Sequence, residues 1–196
     1  MVAPFQPVAG LTAEQIAAAL VDPLLGVAVE PGTIQLKASA ASAVSLYDGA
    51  LAPLGIGPGL LLTSGKVPGL SNTLGWFGQN NSLSSGYQNG DADIDAVINK
   101  VFQTRSYDAT SLSFDFRITD PGATSISFDL VFGSDEYPEW VNAFVDGAIV
   151  IVNGVNYALF EQNSSRPLSV ITPNLAAGYF QDNAGSALPI AVSYTH

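Results

Sequence analysis

Apolar and polar residues alternate with a period of two in two runs: Leu112, Phe114, Phe116 and Ile118, then Ile126, Phe128, Leu130 and Phe132. Successive side chains of a β-strand point to opposite faces, so this pattern marks half-buried strands. TDPGA between the runs is rich in turn residues and predicts an antiparallel hairpin. A second hairpin is predicted over AIVIVNGVNYALF, where Asn153-Gly154 suits the positive-φ positions of a type I′ turn. GVAVEPGTIQLKASA reads as two short strands around the Pro31-Gly32 turn, and the apolar run 60–63 as another. PLSVI and LPIAVSY are further strand candidates.

Helical periodicity occurs twice. LTAEQIAAALVDP opens on Thr12, has Gln15 three residues on to complete a capping box, and stops at Asp22-Pro23. DADIDAVINKVFQ sets Ile94, Val97, Ile98, Val101 and Phe102 on one face of an α-helix with an acidic start. Many strands, Gly/Pro turns and two helices predict a mainly β chain. The expectation is a single domain over residues 1–196, an antiparallel β-sandwich or jelly roll with two peripheral α-helices. Residues 64–90 hold Gly, Ser and Asn with almost no charge and no period. They predict a long ordered loop, which is uncommon unless it serves a purpose.

Composition narrows the partners. Hydrophobic residues make up 47% of the chain and charged residues only 12%, about half the roughly 25% usual for globular domains. Such a chain can bury a sizeable core. Six basic residues against seventeen acidic ones give a net charge of −11. That charge repels nucleic acid and anionic membrane surfaces and favours cations. The absence of any apolar run of about 20 residues predicts no membrane insertion. With no cysteine, disulfides, thiolate catalysis and zinc–sulfur sites are excluded, and the compartment stays open. VAPFQPVAG has neither the basic nor the apolar region of a signal peptide. The chain therefore reads as cytosolic, or as a mature N-terminus from which a signal was removed.

In so uncharged a chain, two acidic clusters stand out. Asp91, Asp93 and Asp95 have the D-x-D-x-D spacing of calcium loops, although Ala96 and Phe102 replace the Gly and Glu of an EF-hand. The plainer alternative is helix capping, with the other acids favoured by the dipole. FGSDEYPEW places Asp135, Glu136 and Glu139 directly after a strand, with Asp146 following. Metal binding, a solvated turn and paired-carboxylate catalysis are the three readings of that cluster. His196 has no second histidine to form a metal site or triad, and no G-x-S-x-G elbow occurs. Gly55, Gly57 and Gly59 lack the Lys-Ser/Thr of a phosphate loop. Trp76, Phe77, Tyr87, Tyr137 and Trp140 fall in loops or at strand ends, where they either stack on sugar rings or close the rim of the core. Asn80-Asn81-Ser82 and Asn163-Ser164-Ser165 match the glycan-acceptor pattern read in the eukaryotic secretory route.

Four stretches, in this order, resemble the choice-of-anchor L domain family: SLYDGALAPLGIGPGLLLTSG, NGDADIDAV, SFDLVFGSDEYPEWVNAFVDGAIVIVNG and AAGYFQDN. The resemblance covers most of the chain and implies a β-rich, non-enzymatic extracellular domain of bacterial surface or secreted proteins. The family's G-D-x-D-[LI]-D acids fall on Asp91, Asp93 and Asp95, and its F-x-S-[DE]-E-Y segment on Ser134, Asp135, Glu136 and Tyr137. Its later N-D pair falls on Val145-Asp146, where the Asn is missing. Family members continue with further acidic strands after the point where this chain ends in LPIAVSYTH. The resemblance thus implies a truncated domain, a short variant or half of a split one, with a sheet edge open to a strand from another chain.

The functional expectation is an extracellular, adhesin-like surface or matrix module. In it, Asp91, Asp93, Asp95, Asp135, Glu136, Glu139 and Asp146 converge on Ca²⁺ and tie loops together. One alternative is a carbohydrate-binding module using Trp76, Phe77, Tyr87, Tyr137 and Trp140. Another is an assembly subunit, open to homo-oligomers, completed by strand addition from a partner chain.

Overall fold

A computed structural model describes residues 5–8, 10–21, 26–38, 43–48, 56–65, 90–134, 136–137, 140–182 and 193–195. These residues are mainly short antiparallel strands with a few short helices. They divide between two compact units, each drawn from separated stretches of sequence.

The first unit holds the described residues up to 65 and residues 107–129. Its strands are β1 (Phe5–Pro7), β2 (Val27–Val29), β3 (Gln35–Lys37), β4 (Val44–Tyr47), β5 (Gly59–Leu62), β6 (Ser111–Ser113) and β7 (Phe116–Ile118), and its helix is α1 (Ala13–Ala18). The capping box forms as the sequence predicts. Gln15 N–H donates to Thr12 Oγ1 at 3.3 Å, and Thr12 N–H donates to Gln15 Oε1 at 2.8 Å. The predicted stop at Asp22-Pro23 lies outside the described residues. β4 is the centre of a three-stranded sheet in the order β1-β4-β5. Its Val44 is fully buried and forms the core of this unit with Val8 and Ile16.

β2 and β3 flank the Pro31-Gly32 turn but do not pair with each other. β2 pairs with β7 (Val27↔Ile118, Val29↔Phe116), and β3 pairs with β6 (Gln35↔Ser113, Lys37↔Ser111). Residues 30–34 oppose only 114–115 in this long ribbon, so one strand carries an insertion. Asp115 bridges it. Its C=O accepts from Glu30 N–H at 2.8 Å, and its N–H donates to Thr33 Oγ1 at 2.9 Å.

The hairpin predicted across TDPGA does not close. The turn itself forms: Ala123 N–H donates to Asp120 C=O at 3.1 Å, and Gly122 N–H to Asp120 Oδ1 at 2.7 Å. Residues 124–129 then make no backbone hydrogen bond among the described residues, and Ile126 and Phe128 are 49% and 51% exposed. Register explains the failure. A hairpin closed by this four-residue turn sets Arg117 opposite Ile126, Phe116 opposite Ser127 and Asp115 opposite Phe128. Cross-strand partners share a face, so the apolar side chains of the two runs fall on opposite faces. Asp120 N–H is also taken by Gly26 C=O at 3.4 Å, on the β2 side.

The second unit holds residues 90–106, 130–182 and 193–195 of the described chain. It contains α2 (Ala92–Phe102), β8 (Val131–Gly133), β9 (Ile151–Val152), β10 (Val155–Asn156), the single-turn helix Phe160–Gln162, α3 (Thr172–Ala176) and β11 (Ser193–Thr195). The predicted Asn153-Gly154 hairpin is present. Both residues have positive φ, 50° and 79°, and Val152 pairs with Val155. The strand predicted over PLSVI appears only as isolated bridges, Leu159↔Pro167 and Gly147↔Ser169. β8 pairs antiparallel with β11, Phe132 opposite Tyr194.

Phe132, Ala158, Phe160, Leu168 and Val170 form the core of this unit. Aromatic rings complete it. Tyr179 stacks on Phe160 with ring centroids 4.3 Å apart, and Phe180 meets Phe132 edge-on at 6.3 Å. Full burial of such a ring, as for Phe160, contributes about 1.5–3 kcal/mol, and the partly buried Tyr179 and Phe180 contribute less. Among the described residues, no helix is long and apolar enough to cross a membrane.

Candidate functional site

Asp91 is the N-cap of α2. Its Oδ1 accepts from the backbone N–H of Asp93 at 2.9 Å and of Ile94 at 3.3 Å, satisfying two of the helix's unpaired donors. The residue is buried, 7% exposed, and its own N–H donates to Ser106 Oγ at 2.9 Å. Asp95 lies one turn on. Its Oδ1 accepts from Ser106 N–H at 2.5 Å and from Ser106 Oγ–H at 2.7 Å. The Ser106 hydroxyl, then the Ser106 N–H, hold the Asp95 carboxyl below its ordinary range. Gly90 allows this closure, because a Cβ there would stand 3.0 Å from Ser106 O and 3.3 Å from Ser106 Oγ. Asp93 is exposed on the first turn, where the helix dipole favours an acid.

The second acidic segment is organised by another serine. Ser134, 3% exposed, donates from Oγ to Asp146 Oδ2 at 2.8 Å, and the same oxygen accepts from Glu136 N–H at 3.1 Å. Asp146 is half-buried, and loss of solvent raises its carboxyl above the ordinary range, the Ser134 hydrogen bond only partly opposing this. Asp146 C=O accepts from Val170 N–H at 3.0 Å, which ties the segment to the buried core.

Residues 140–144 form a tight turn. Trp140 N–H donates to Glu136 C=O at 2.8 Å, and Ala143 N–H to Trp140 C=O at 2.9 Å. Asn142 sits at φ 66°, a left-handed conformation that few non-glycine residues adopt. Its side chain reaches α3: Nδ2 donates to Thr172 Oγ1 at 2.5 Å, and Oδ1 accepts from Thr172 N–H at 3.1 Å. Ile171, the N-cap of α3, makes no side-chain cap bond, so Asn142 supplies a cap from a distant segment. Trp140 and Phe144 remain 56% and 49% exposed, with ring centroids 6.2 Å apart. Tyr137 instead turns inward and stacks on Phe180 at 6.3 Å.

A model of the choice-of-anchor L domain matches residues 11–186, most of the chain. The chain belongs to that family. Choice-of-anchor L domains are surface-associated bacterial modules. No curated protein and no solved structure matches this choice-of-anchor L domain.

The structure brings Asp91 and Asp95 together around Ser106, and Asp146 together with the Glu136 backbone around Ser134. Asp135, Glu139, Trp76, Phe77 and Tyr87 lie outside the described residues. Among the described residues, no three His, Cys, Asp or Glu side chains gather as a metal-binding set. Sequence reasoning gave neither serine a role, although Ser134 was placed in the family motif. Ser134 stands inside the acidic motif and was available as a local signal. Ser106 lies beyond the far end of α2, with nothing local to mark it.

Proposed function

We propose that this choice-of-anchor L domain is a non-enzymatic, adhesin-like surface module whose recognition element is the turn at 136–146. The supporting observation is a division within that turn. Asp146 faces Ser134, whereas Trp140 and Phe144 stay exposed on backbone pinned to Thr172 by Asn142. Rigid exposed aromatics carry contact area at little entropic cost and suit the apolar face of a sugar ring. A net charge of −11 disfavours polyanionic ligands, so the ligand class is neutral carbohydrate. A neutral-glycan array compares the protein with Trp140→Ala. Equal binding by both would remove the recognition role of the turn.

Calcium is proposed as a stabiliser of the same turn, held by Asp146 and Glu136 together with Asp135 and Glu139 of the motif. Support comes from Asp146, a desolvated carboxyl whose partner is a neutral hydroxyl. A hard cation offsets such a desolvated charge. Asp91 and Asp95 each already commit one oxygen to backbone amides or Ser106 and serve more weakly as donors. Calcium that binds only the folded state raises the melting temperature, and EDTA lowers it again. Identical melting curves with calcium and with EDTA would remove this role.

A second reading is assembly by strand addition along residues 124–129, favoured by a backbone that makes no hydrogen bond among the described residues and by exposed Ile126 and Phe128. Light scattering tests it, because addition of a strand between copies makes the apparent mass rise with concentration.

A further inference from the structure

Two N-x-S patterns occur in the chain, and only one has an acid two residues before the asparagine. Glu161 precedes Asn163-Ser164-Ser165, whereas Gly78 precedes Asn80-Asn81-Ser82. The N-x-S/T pattern is the acceptor itself, and an acidic residue two positions before its asparagine is the added requirement of one class of oligosaccharyltransferase. We propose that Asn163 is an acceptor for N-linked glycan transfer by an oligosaccharyltransferase of this acid-dependent class.

The geometry presents the acceptor to an enzyme. Asn163, Ser164 and Ser165 are all exposed, on a loop closed at its base by Phe160 N–H donating to Arg166 C=O at 2.9 Å. Phe160 is buried at 3% in the aromatic cluster and roots the loop in the core. Asn163 Oδ1 accepts from Ser165 N–H at 2.9 Å, and Asn163 Nδ2 makes no hydrogen bond among the described residues. The hydroxyls of Ser164 and Ser165 likewise make none there. Nucleophile and recognition hydroxyl are therefore not committed elsewhere.

The acid is equally accessible. Glu161 and Gln162 both hold left-handed backbone, φ 53° and 56°, which turns the chain sharply just before Asn163. The Glu161 side chain is 60% exposed; it pairs with Arg166 Nη1 at 3.0 Å, that side chain being 32% exposed, and also hydrogen-bonds the Tyr179 side chain. An exposed ion pair is weakly held, so an enzyme cation can take Arg166's place. In the transfer, Asn163 Nδ2 bonds to C1 of the first sugar of a lipid-pyrophosphate-linked oligosaccharide. The C1–O bond breaks, the pyrophosphate leaves with its electron pair, and an enzyme base takes the amide proton. Such lipid-linked donors serve exported chains. The inference therefore rests on the surface reading for its cellular setting, though not for its chemistry.

The test uses purified components, so that its failure is separate from any failure of the surface reading. Folded full-length protein is incubated with a purified acid-dependent oligosaccharyltransferase and its lipid-pyrophosphate-linked oligosaccharide, and intact mass is measured. The expected result is one added glycan, mapped by peptide sequencing to Asn163, with Asn80 unmodified. The addition is lost in Asn163→Gln, in Glu161→Gln and in Ser165→Ala. Ser165→Ala leaves Asn163 and its backbone turn in place, and circular dichroism melting verifies that each variant folds. An unmodified wild-type protein, a glycan on Asn80 alone, or a Glu161→Gln variant modified as fast as wild type would each overturn the proposal.

Discussion

Ser106 gives one oxygen of Asp95 two hydrogen bonds, from its backbone N–H at 2.5 Å and from its hydroxyl at 2.7 Å. The same hydroxyl accepts from the buried Asp91 N–H at 2.9 Å. One serine past the end of α2 thus locks the first turn of that helix. Ser106→Ala removes the hydroxyl and leaves the Asp91 N–H without it. Loss of a hydrogen bond at a buried polar group costs about 1–3 kcal/mol, which is the loss expected in urea unfolding of this variant. A change within error of zero would show that water replaces the hydroxyl at no cost.

Asp95 and Asp146 have opposite effects on the acid limb of stability. The folded carboxyl of Asp95 lies below its ordinary 3.8, because the Ser106 hydroxyl and then the Ser106 N–H favour the anion. The unfolded chain takes up the proton first. The contribution of this group is therefore full above that ordinary value and lost as pH falls through the folded value. Asp95→Asn should flatten the acid limb of a stability–pH curve. An unchanged slope would mean that the pair with Ser106 contributes nothing in solution.

Asp146 has the reverse sign. Burial raises its folded carboxyl above 3.8, with the Ser134 hydrogen bond opposing, so the folded state takes up the proton first. Its charge then costs stability above the folded value, and the cost is relieved as pH falls toward 3.8. Asp146→Asn keeps an acceptor for Ser134 Oγ–H and removes the charge. In EDTA at neutral pH this variant should melt higher than wild type, and added calcium should no longer raise its melting temperature. A variant that melts lower in EDTA would show that the charge is not desolvated as described.

Asn142 is predicted to matter more to the turn than its exposure suggests. Asn142→Ala removes both bonds to Thr172 and leaves at φ 66° a residue that tolerates the left-handed region less well than Asn. The expected loss is about 1–3 kcal/mol. Asn142→Gly loses the same bonds but relieves the backbone, so it should be the less damaged of the two by calorimetry. Equal losses would assign the whole effect to the hydrogen bonds.

What the sequence revealed was local in origin. Thr12 with Gln15, Asp91 before an apolar helix face, and Asn153-Gly154 each carry their instruction within a few residues, and each formed as read. The acids at 91–95 and 134–146 were legible as clusters. The bonds that organise them, Ser106 to Asp95 and Ser134 to Asp146, and the Asn142–Thr172 pair beside them were not, because side-chain bonds across 11, 12 and 30 residues leave no periodic trace. Pairing partners were hidden for the same reason. β2 and β3 found β7 and β6 far along the chain, and nothing in their own residues distinguishes those strands from each other as neighbours.

The unclosed hairpin after β7 yields the last prediction. Matching the apolar faces requires a three-residue loop, which would place Phe116 opposite Ile126 and Phe114 opposite Phe128. That loop is commonly a type I turn over residues 119–122 followed by a left-handed residue, a position that Gly122 suits. Pro121 would then occupy the third position of the turn, where its ring forces the preceding residue out of the helical region. The chain instead turns on Pro121-Gly122, closed by Ala123 N–H to Asp120 C=O at 3.1 Å, and residues 124–129 make no backbone hydrogen bond among the described residues. Pro121→Asn removes the conflict while keeping a good turn former. Amides within 124–129 should exchange rapidly in the wild-type protein, and alternate ones should become protected in the variant. Light scattering gives a second readout, because an edge filled from within no longer accepts a strand from another copy. Slow exchange of these amides in dilute wild-type protein, or no new protection in Pro121→Asn, would show that register is not what holds this hairpin open.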